Sequence, residues 1–189
     1  SLANRFSLGF FSKWSCKKAD GIITCSDYDS LQIQKYYKVP PEKVKTVYLA
    51  ADERFVKERN DKKIEEIKKK YNLPDKFLLS LGVIHNRRNV DVIINSFYNI
   101  EHEFSNIGLV VVGKNNTQPY VDIEKLMEPA IQNKKGVYIP WFADDDLPFL
   151  YQASEFYICT STVDGETILL KEAMKSGTPV ITSNLLSGT

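Results

Sequence analysis

Residues 164–181 read DGETILLKEAMKSGTPVI, the pattern of a loop, a helix and a strand in succession. Gly165 allows the chain to turn sharply or to approach a ligand closely. Apolar or small residues then recur at the spacing of one helix face: Ile168, Leu169, Ala173 and Ser176. Gly177 ends the predicted helix, and Pro179 can only begin the next element. The stretch therefore predicts a loop that enters a helix and leads to a buried strand at residues 180–181.

A loop that enters a helix N-terminus attracts anions, because free backbone N–H groups and the helix dipole point toward it. Glu172 lies about one and a half turns into the predicted helix. From there its carboxylate can reach past a bound phosphate and accept two hydrogen bonds from a vicinal diol, as in ribose recognition. These residues predict a nucleotide site; the alternative is a solvent-facing helix with scattered acidic residues.

The same residues resemble the signature of family 4 glycosyltransferases, E-G-F-G-x-x-x-x-E-A-M-A-x-G-x-P-V-I, in the donor-binding half of the GT-B fold. The match is close over residues 172–174 and 177–181. Asp164 replaces the first glutamate of the signature, and Glu166-Thr167 replace its Phe-Gly. The resemblance implies that Glu172 holds the ribose and that Asp164 faces the donor sugar. It also places three residues at the donor: Gly165, Glu166 and Thr167.

Glu166 fits the signature least well, and its carboxylate allows two opposite roles. It can satisfy the backbone N–H groups itself and repel an incoming diphosphate. It can instead accept hydrogen bonds from sugar hydroxyls and select the donor. We favour the second role, because the neighbouring parts of the signature are intact.

Short apolar strands alternate with helices along the chain. The predicted strands are 21–25, 44–49, 77–82, 107–112, 136–139, 156–159 and 180–181, and the predicted helices are 2–18, 26–37, 57–70, 89–100, 122–132, 144–152 and 167–176. Ser26 and Asp29 predict a capping box at the start of helix 26–37, and Asn89 is the predicted cap of helix 89–100. That helix should bury Ile100, and the apolar pattern of helix 144–152 includes Tyr151. The alternation of strands and helices predicts an α/β fold, a Rossmann-like parallel sheet with helices on both faces. Ligands of such sheets bind beyond the carboxyl ends of the strands. Four loops should therefore meet at one rim: 82–88, 113–118, 140–144 and 161–167.

Residues 19–26 and 47–55 resemble the crossover between the two domains of the same enzymes. The resemblance implies that residues 1–45 are a remnant of the N-terminal domain and the crossover. Residues 46–189 would then be the Rossmann-like domain that binds the nucleotide sugar, truncated at its C-terminus. A fragment without the acceptor-binding domain should be inactive alone.

Arg87 and Arg88 follow the predicted strand 77–82 by one short loop. Guanidinium groups bind phosphate oxygens in a bidentate manner, although surface arginines without a role are common. The family usually has G-x-x-x-x-R-K-N here, and Arg88 replaces its lysine. The resemblance implies that Gly82 borders the donor and that both arginines neutralise the departing diphosphate.

Aromatic residues follow the strand 136–139, where the nucleobase rests in this family. Tyr138, Trp141 and Phe142 can stack on a base or pack in the core, and Trp141 is our candidate for the donor site. The nearby Asp144-Asp145-Asp146 contains D-x-D, a metal-binding pattern in a different glycosyltransferase fold. Its position before an apolar helix is better explained by capping and the helix dipole, so no metal site is predicted.

Composition limits the partners. The 189 residues carry a net charge of +1, which offers no basic field for nucleic acid. No apolar run is long enough to span a membrane. Three widely spaced cysteines are typical of a reducing compartment, so we expect a cytoplasmic protein, peripheral at the membrane's cytoplasmic face in its full-length form.

The resemblance implies a retaining hexosyltransferase that needs no cofactor. Its donor would be a nucleotide-diphosphate sugar, and the acceptor, a glycan or lipid-linked sugar, would bind the missing N-terminal domain. Two alternatives stay open: a degenerate nucleotide-binding module without catalysis, and a nucleotide-sugar epimerase of the GT-B fold. The sequence does not name the base, the sugar or the acceptor.

Overall fold

A computed structural model describes the backbone of residues 2–162 and 168–184 and the side chains of residues 9–162 and 168–184. The chain divides into two compact units, with the boundary between Leu49 and Ala50. Among the described helices, none combines the length and the apolar character that a membrane crossing requires.

The first unit consists of two helices and two short strands: α1 (Leu2–Lys18), β1 (Ile22–Thr24), α2 (Asp27–Tyr37) and β2 (Val44–Thr46). The strands pair in parallel, with Ile22 opposite Val44. Ser26 caps α2, because its hydroxyl accepts a hydrogen bond from the Asp29 N–H at 3.1 Å and donates to the Asp29 carboxylate at 2.8 Å. The predicted cap is confirmed, whereas β2 ends three residues earlier than the predicted limit at residue 49.

The second unit contains five strands and five helices within the described residues: α3 (Asp61–Tyr71), β3 (Phe77–Leu81), α4 (Val90–Ile100), β4 (Gly108–Val112), α5 (Ile123–Gln132), β5 (Gly136–Ile139), α6 (Leu147–Ala153), β6 (Phe156–Cys159), α7 (Ile168–Lys175) and β7 (Val180–Thr182). The strand order is β5-β4-β3-β6-β7, and every pairing is parallel. The predicted fold class, a parallel sheet with helices on both faces, is confirmed.

The buried strands explain why the sheet is the core of this unit. All five residues of β4 are buried, and alternate side chains of this strand enter opposite faces. Leu109 and Val111 pack with residues of α4 and α5, among them Ile94, Phe97 and Met127. A strand buried on both faces reads as a continuous apolar run, which is why its position was predictable.

Several local predictions were wrong. Helix α3 begins at Asp61 rather than at residue 57, because the side chain of Asn60 accepts a hydrogen bond from the Lys63 N–H at 3.1 Å and starts the helix there. Ile100 was predicted to be buried at the end of α4, but 39% of its surface is exposed. The strand at residues 180–181 was predicted to be buried, but Ile181 is 48% exposed, because β7 is the last strand of the described sheet.

The close approach of two strand ends yields a stability test. Gly113 has φ +139, and a Cβ atom there would lie 2.1 Å from the carbonyl oxygen of Gly82. We expect Gly113→Ala to lower the free energy of unfolding by more than the about 1–3 kcal/mol that such a backbone conformation costs alone, measured by urea denaturation.

Gly177→Ala is the matched control. Gly177 also has positive φ, at +79, but a Cβ atom there meets only the flexible side chain of Lys57, at 3.1 Å. Its loss of stability should be smaller than that of Gly113→Ala. Equal losses would show that the contact between the two strand ends carries no cost of its own.

Candidate functional site

The carboxyl ends of β3 and β4 form the base of the candidate site. Each strand is followed at once by a glycine with positive φ, Gly82 at +122 and Gly113 at +139. The loops beyond them are joined by two backbone hydrogen bonds, from Ile84 N to the Lys114 oxygen at 2.9 Å and from Asn116 N to the Ile84 oxygen at 2.8 Å. Two of the four predicted rim loops therefore lie side by side.

The arginine loop is fixed to the end of β6. Residues 86–88 form a 3-10 turn. The Thr160 hydroxyl donates to the carbonyl oxygen of Arg88 at 2.9 Å, and the Thr162 N–H donates to that of Arg87 at 2.9 Å. Asn89, predicted as the cap of α4, makes no side-chain cap; its amide donates to the Thr160 oxygen at 3.0 Å, and its φ is 50. The predicted cap was wrong because the side chain joins two loops instead.

The two arginines differ in their surroundings. Arg87 is exposed, whereas Arg88 is partly buried and lies against Gly82. A Cβ atom on Gly82 would lie 2.9 Å from Nη1 of Arg88 and 2.8 Å from Cδ1 of Leu169. Glycine is favoured where the loop after β3 meets α7, because φ is +122 there and because the guanidinium group and the leucine occupy the space that a side chain would need.

Glu172 lies on α7 and is partly buried. The hydroxyl of Tyr151, on α6, donates a hydrogen bond to its Oε2 at 3.1 Å. Burial raises the pKa of the Glu172 carboxyl above its ordinary value, while the Tyr151 hydrogen bond and the charge of Arg54 act in the opposite direction. Glu172 is thus a partly buried carboxylate that accepts a hydrogen bond from one specific donor, the hydroxyl of Tyr151.

Two buried tyrosines lie beneath the rim. The rings of Tyr151 and Tyr157 pack edge to face, with 5.6 Å between their centroids. Tyr157 donates to the Leu81 oxygen at 3.2 Å, immediately before Gly82. The charge of Arg88 lowers the pKa of both tyrosines, although burial is the largest effect and raises both well above their ordinary value. Sequence reasoning placed Tyr151 in an apolar helix pattern and missed its hydroxyl, although a buried tyrosine hydroxyl normally has a partner.

The three aromatic candidates near β5 have different surroundings. Phe142 is buried and stacks on Tyr71, with ring centroids 4.1 Å apart. Tyr138 donates its hydroxyl to the Gly113 oxygen at 3.1 Å and is partly buried. Trp141 has 76% of its surface exposed and lies just beyond the carboxyl end of β5. Of these three, Trp141 alone offers a largely open ring at the rim.

Residues of the acidic triplet 144–146 form ion pairs with basic side chains. Asp144 pairs with Arg54 at 2.6 Å, and this hydrogen bond lowers the pKa of its carboxyl. Asp146 pairs with Lys70 at 2.7 Å and accepts a hydrogen bond from Tyr71 at 2.9 Å. Residues 144–146 form a 3-10 turn before α6, and Asp146 makes no side-chain cap there. Over residues 9–162 and 168–184, no three His, Cys, Asp or Glu side chains group as a metal site.

The structure brings together Gly82, Arg88 and the helix of Glu172, with Arg87 on the adjoining turn. Trp141 stands at the end of β5, two strands away from β3 in the sheet. Four predicted site residues lie outside the described residues: Asp164, Gly165, Glu166 and Thr167.

A family model described as "Glycosyl transferases group 1" matches residues 61–189. The serotype-specific mannosyltransferase WbdA of Escherichia coli is 26% identical over 174 residues, which cover 90% of this chain and 21% of that protein. The alpha-monoglucosyldiacylglycerol synthase of Streptococcus pneumoniae is 29% identical over 169 residues, covering 86% of this chain and 37% of that protein. The chain thus spans well under half of each relative.

A solved structure supports the fold assignment. The Anabaena protein HepE, crystallised in complex with UDP-glucose, superposes with a TM-score of 0.74 at 16% identity. The superposition covers 92% of this chain and 47% of HepE. At this identity the likeness concerns the fold, which is that of the GT-B glycosyltransferases.

The raised pKa of Glu172 predicts a pH-dependent effect on stability. Folding favours its protonated form, so stability contributed by this group is present at low pH and is lost as pH rises through the folded pKa. We expect Glu172→Gln to unfold at a higher urea concentration than the parent protein at pH 8. The gain should be small, because the side chain is only partly buried, and should shrink as the pH falls toward 4.

Glu103→Gln is the control, because Glu103 is exposed and lies beyond the end of α4. It should not change the midpoint in a pH-dependent manner. If Glu172→Gln lowered stability at pH 8, the carboxylate would be stabilised by its surroundings, contrary to the effect of burial.

Proposed function

Because the chain belongs to the group 1 glycosyl transferases, we propose that the second unit binds the nucleotide-diphosphate-sugar donor of a retaining hexosyltransferase. One observation carries the proposal: Gly82 leaves space for Arg88 and Leu169, which joins the arginine loop to the helix that carries Glu172. A cation for a diphosphate thus meets the helix that carries a carboxylate for a diol, at the carboxyl ends of the strands, where such sheets bind nucleotides.

The diphosphate is assigned to the arginine loop. Its backbone is fixed to the end of β6 by the hydrogen bonds of Thr160 and Thr162, so the turn does not have to be ordered by the ligand. Arg88 lies against Gly82, and Arg87 is an exposed residue of the same turn. Two guanidinium groups can neutralise the charge that develops on the departing diphosphate, a task that other enzymes give to a metal ion. We therefore propose transfer without a metal.

The nucleoside is assigned to Glu172 and Trp141. Glu172 keeps acceptor positions for the ribose hydroxyls, and the open ring of Trp141 suits the face of a base. The sugar is assigned to residues 164–167 ahead of α7, which include Asp164 and the donor-selecting candidate Glu166. No protein nucleophile is assigned, because the carboxylates with a proposed role, Glu172 and Asp164, are given to the ribose and to the sugar face.

The relatives support the type of reaction. WbdA is named as a mannosyltransferase, and the streptococcal protein as a monoglucosyldiacylglycerol synthase. These names support a hexose as the transferred sugar and a glycan or lipid-linked acceptor. Since the relatives are much longer than this chain, we place acceptor binding outside the second unit and expect nucleotide binding, without transfer, from these residues alone.

The proposal is tested by calorimetric titration with UDP, GDP and ADP and with the corresponding nucleosides. We expect Arg88→Ala to weaken the bound diphosphate by about 1.5–3 kcal/mol, the range for a hydrogen bond to a charged group. The bare nucleoside should lose much less, because a phosphate clamp acts only where phosphate is present.

Two variants of the arginine loop serve as controls. Arg88→Lys keeps the charge and should keep most of the preference for the diphosphate, whereas Arg87→Ala removes a more exposed cation and should have a smaller effect. Equal losses for nucleoside and diphosphate in Arg88→Ala would indicate a packing role. No binding of any nucleotide by the parent protein would favour the degenerate module.

Trp141→Ala tests the base end of the site. Loss of a stacked ring should weaken nucleoside and diphosphate equally, by about 0.5–1.5 kcal/mol. Folding should be unaffected, since the ring is 76% exposed. A loss confined to the diphosphate would contradict base stacking and place Trp141 near the phosphates.

A further inference from the structure

Tyr151 is a buried residue that contacts Glu172 directly, and the family resemblance implies no function for it. It is fully buried, and its hydroxyl lies 3.1 Å from Oε2 of Glu172. The two residues are 21 positions apart and belong to different helices, α6 and α7. The contact therefore depends on the tertiary packing of the two helices, and its geometry can bear on what Glu172 is able to bind.

The ring of Tyr151 is fixed on several sides. Its centroid lies 5.9 Å from that of Phe55 and 5.6 Å from that of Tyr157, both in edge-to-face arrangements. Its backbone is held as well, because its carbonyl oxygen accepts hydrogen bonds from the hydroxyls of Thr178 at 2.7 Å and Ser154 at 2.8 Å. A tyrosine so enclosed has little freedom to follow the carboxylate. The hydrogen bond therefore favours orientations of the carboxylate in which Oε2 faces the hydroxyl.

The remaining capacity of Glu172 matches a vicinal diol. An ionised carboxylate offers about four acceptor positions on two oxygens. Tyr151 occupies one position on Oε2, and among the described residues no donor is bonded to Oε1, which has capacity for two adjacent hydroxyls. The hydrogen bond to Oε2 restricts the rotation of the carboxylate before a ligand arrives, so less entropy is lost on binding.

On the premise of the proposed function, we propose that Tyr151 is a positioning residue that orients the Glu172 carboxylate and thereby determines the preference for a ribose diol. It acts through Glu172 and touches no reacting atom. The hydroxyl also favours the ionised form of the carboxylate, the form that accepts both hydrogen bonds of the diol.

Other charged groups act on Glu172 as well. Arg54 lowers the pKa of its carboxyl, whereas Asp144 and Asp52 raise it. These three residues lie outside α6 and α7, before α3 and before α6. Replacing Tyr151 by phenylalanine leaves all three in place, so a change in the titration of Glu172 in that variant reports on the lost hydroxyl.

The test compares Tyr151→Phe with the parent protein, using the nucleoside diphosphate that binds best among UDP, GDP and ADP and its 2′,3′-dideoxy analogue. We expect the variant to bind the ribonucleotide about tenfold more weakly, as for the loss of one hydrogen bond. The dideoxy analogue, which has no diol, should bind both proteins with similar affinity. A merely structural role would weaken both ligands alike, and that result would overturn the inference.

Two variants serve as references. Tyr98→Phe removes another inward tyrosine hydroxyl, one that donates to the Leu126 oxygen at 2.7 Å between α4 and α5, and should change neither affinity. Glu172→Gln should lose the preference for the ribonucleotide, and the double variant Tyr151→Phe/Glu172→Gln should lose no more than Glu172→Gln alone. Additive losses in the double variant would show that Tyr151 acts independently of Glu172.

The pH dependence of ribonucleotide binding provides a second test of the role of Tyr151. Binding of the ribonucleotide should weaken as the pH falls through the pKa of Glu172, and in Tyr151→Phe this transition should move to higher pH because a donor that favours the ionised form is gone. An unmoved transition would overturn the inference.

Failures of the two proposals remain distinguishable. If Glu172→Gln loses the ribose preference and Tyr151→Phe keeps it, the ribose site stands and only the role of Tyr151 is rejected. If Glu172→Gln keeps the preference, the ribose assignment in the proposed function is rejected together with this inference.

Discussion

The empty side-chain position of Gly82 is the constraint on which the candidate site depends. Strand β3 must end in a conformation with φ +122, and the space beside it is filled by Nη1 of Arg88 and Cδ1 of Leu169. One backbone position thus lets Arg88 and Leu169 pack together against the end of β3. A side chain there would strain the backbone at φ +122 and displace the ends of Arg88 and Leu169. The chemistry of the site therefore rests on a residue that has no chemical group of its own.

The arginine turn and Glu172, the two polar parts of the candidate site, are held in place in different ways. The arginine turn is held through its backbone, by hydrogen bonds to Thr160 and Thr162 at the end of β6. Glu172 is held through its side chain, by a hydroxyl from the buried aromatic cluster of Phe55, Tyr151 and Tyr157. Backbone hydrogen bonds thus fix the position of the arginine turn before a diphosphate binds. The side-chain hydrogen bond restricts the rotation of the Glu172 carboxylate, which suits recognition of a rigid ring.

The sequence predicted the elements of the fold better than their ends. The strands of the second unit were predictable because a parallel strand buried on both faces is a continuous apolar run, as in β4. The start of α3 was missed because the preceding residues are held by long-range contacts: Arg59 donates to the Gln152 oxygen at 2.7 Å, across 93 residues. Such contacts leave no periodic signal in the local sequence.

The candidate site, like the fold, was only partly predictable from the sequence. Gly82, Arg88 and Glu172 were predicted from the family resemblance together with the rule that the carboxyl ends of parallel strands meet at one edge. The structure places Gly82 and Arg88 next to the helix that carries Glu172. The exposure of Trp141 and the burial of Phe142 could not be separated in advance, because neighbouring aromatic residues in a loop give no alternation from which to infer their direction. Tyr151 was missed because its partner is 21 residues away and becomes a neighbour only when α6 packs on α7.

The presence of a carboxylate at position 172 is not explained by a contribution to folding stability. Burial raises the pKa of its carboxyl, so the ionised form is disfavoured by folding at neutral pH. The hydrogen bond from Tyr151 and the charge of Arg54 reduce this cost without making the position a favourable one for a carboxylate. A neutral side chain that still accepts the Tyr151 hydrogen bond would avoid this cost. One oxygen of the partly buried Glu172 carboxylate accepts the hydrogen bond from Tyr151, and the other oxygen does not. This arrangement suits a carboxylate that accepts hydrogen bonds from a ligand.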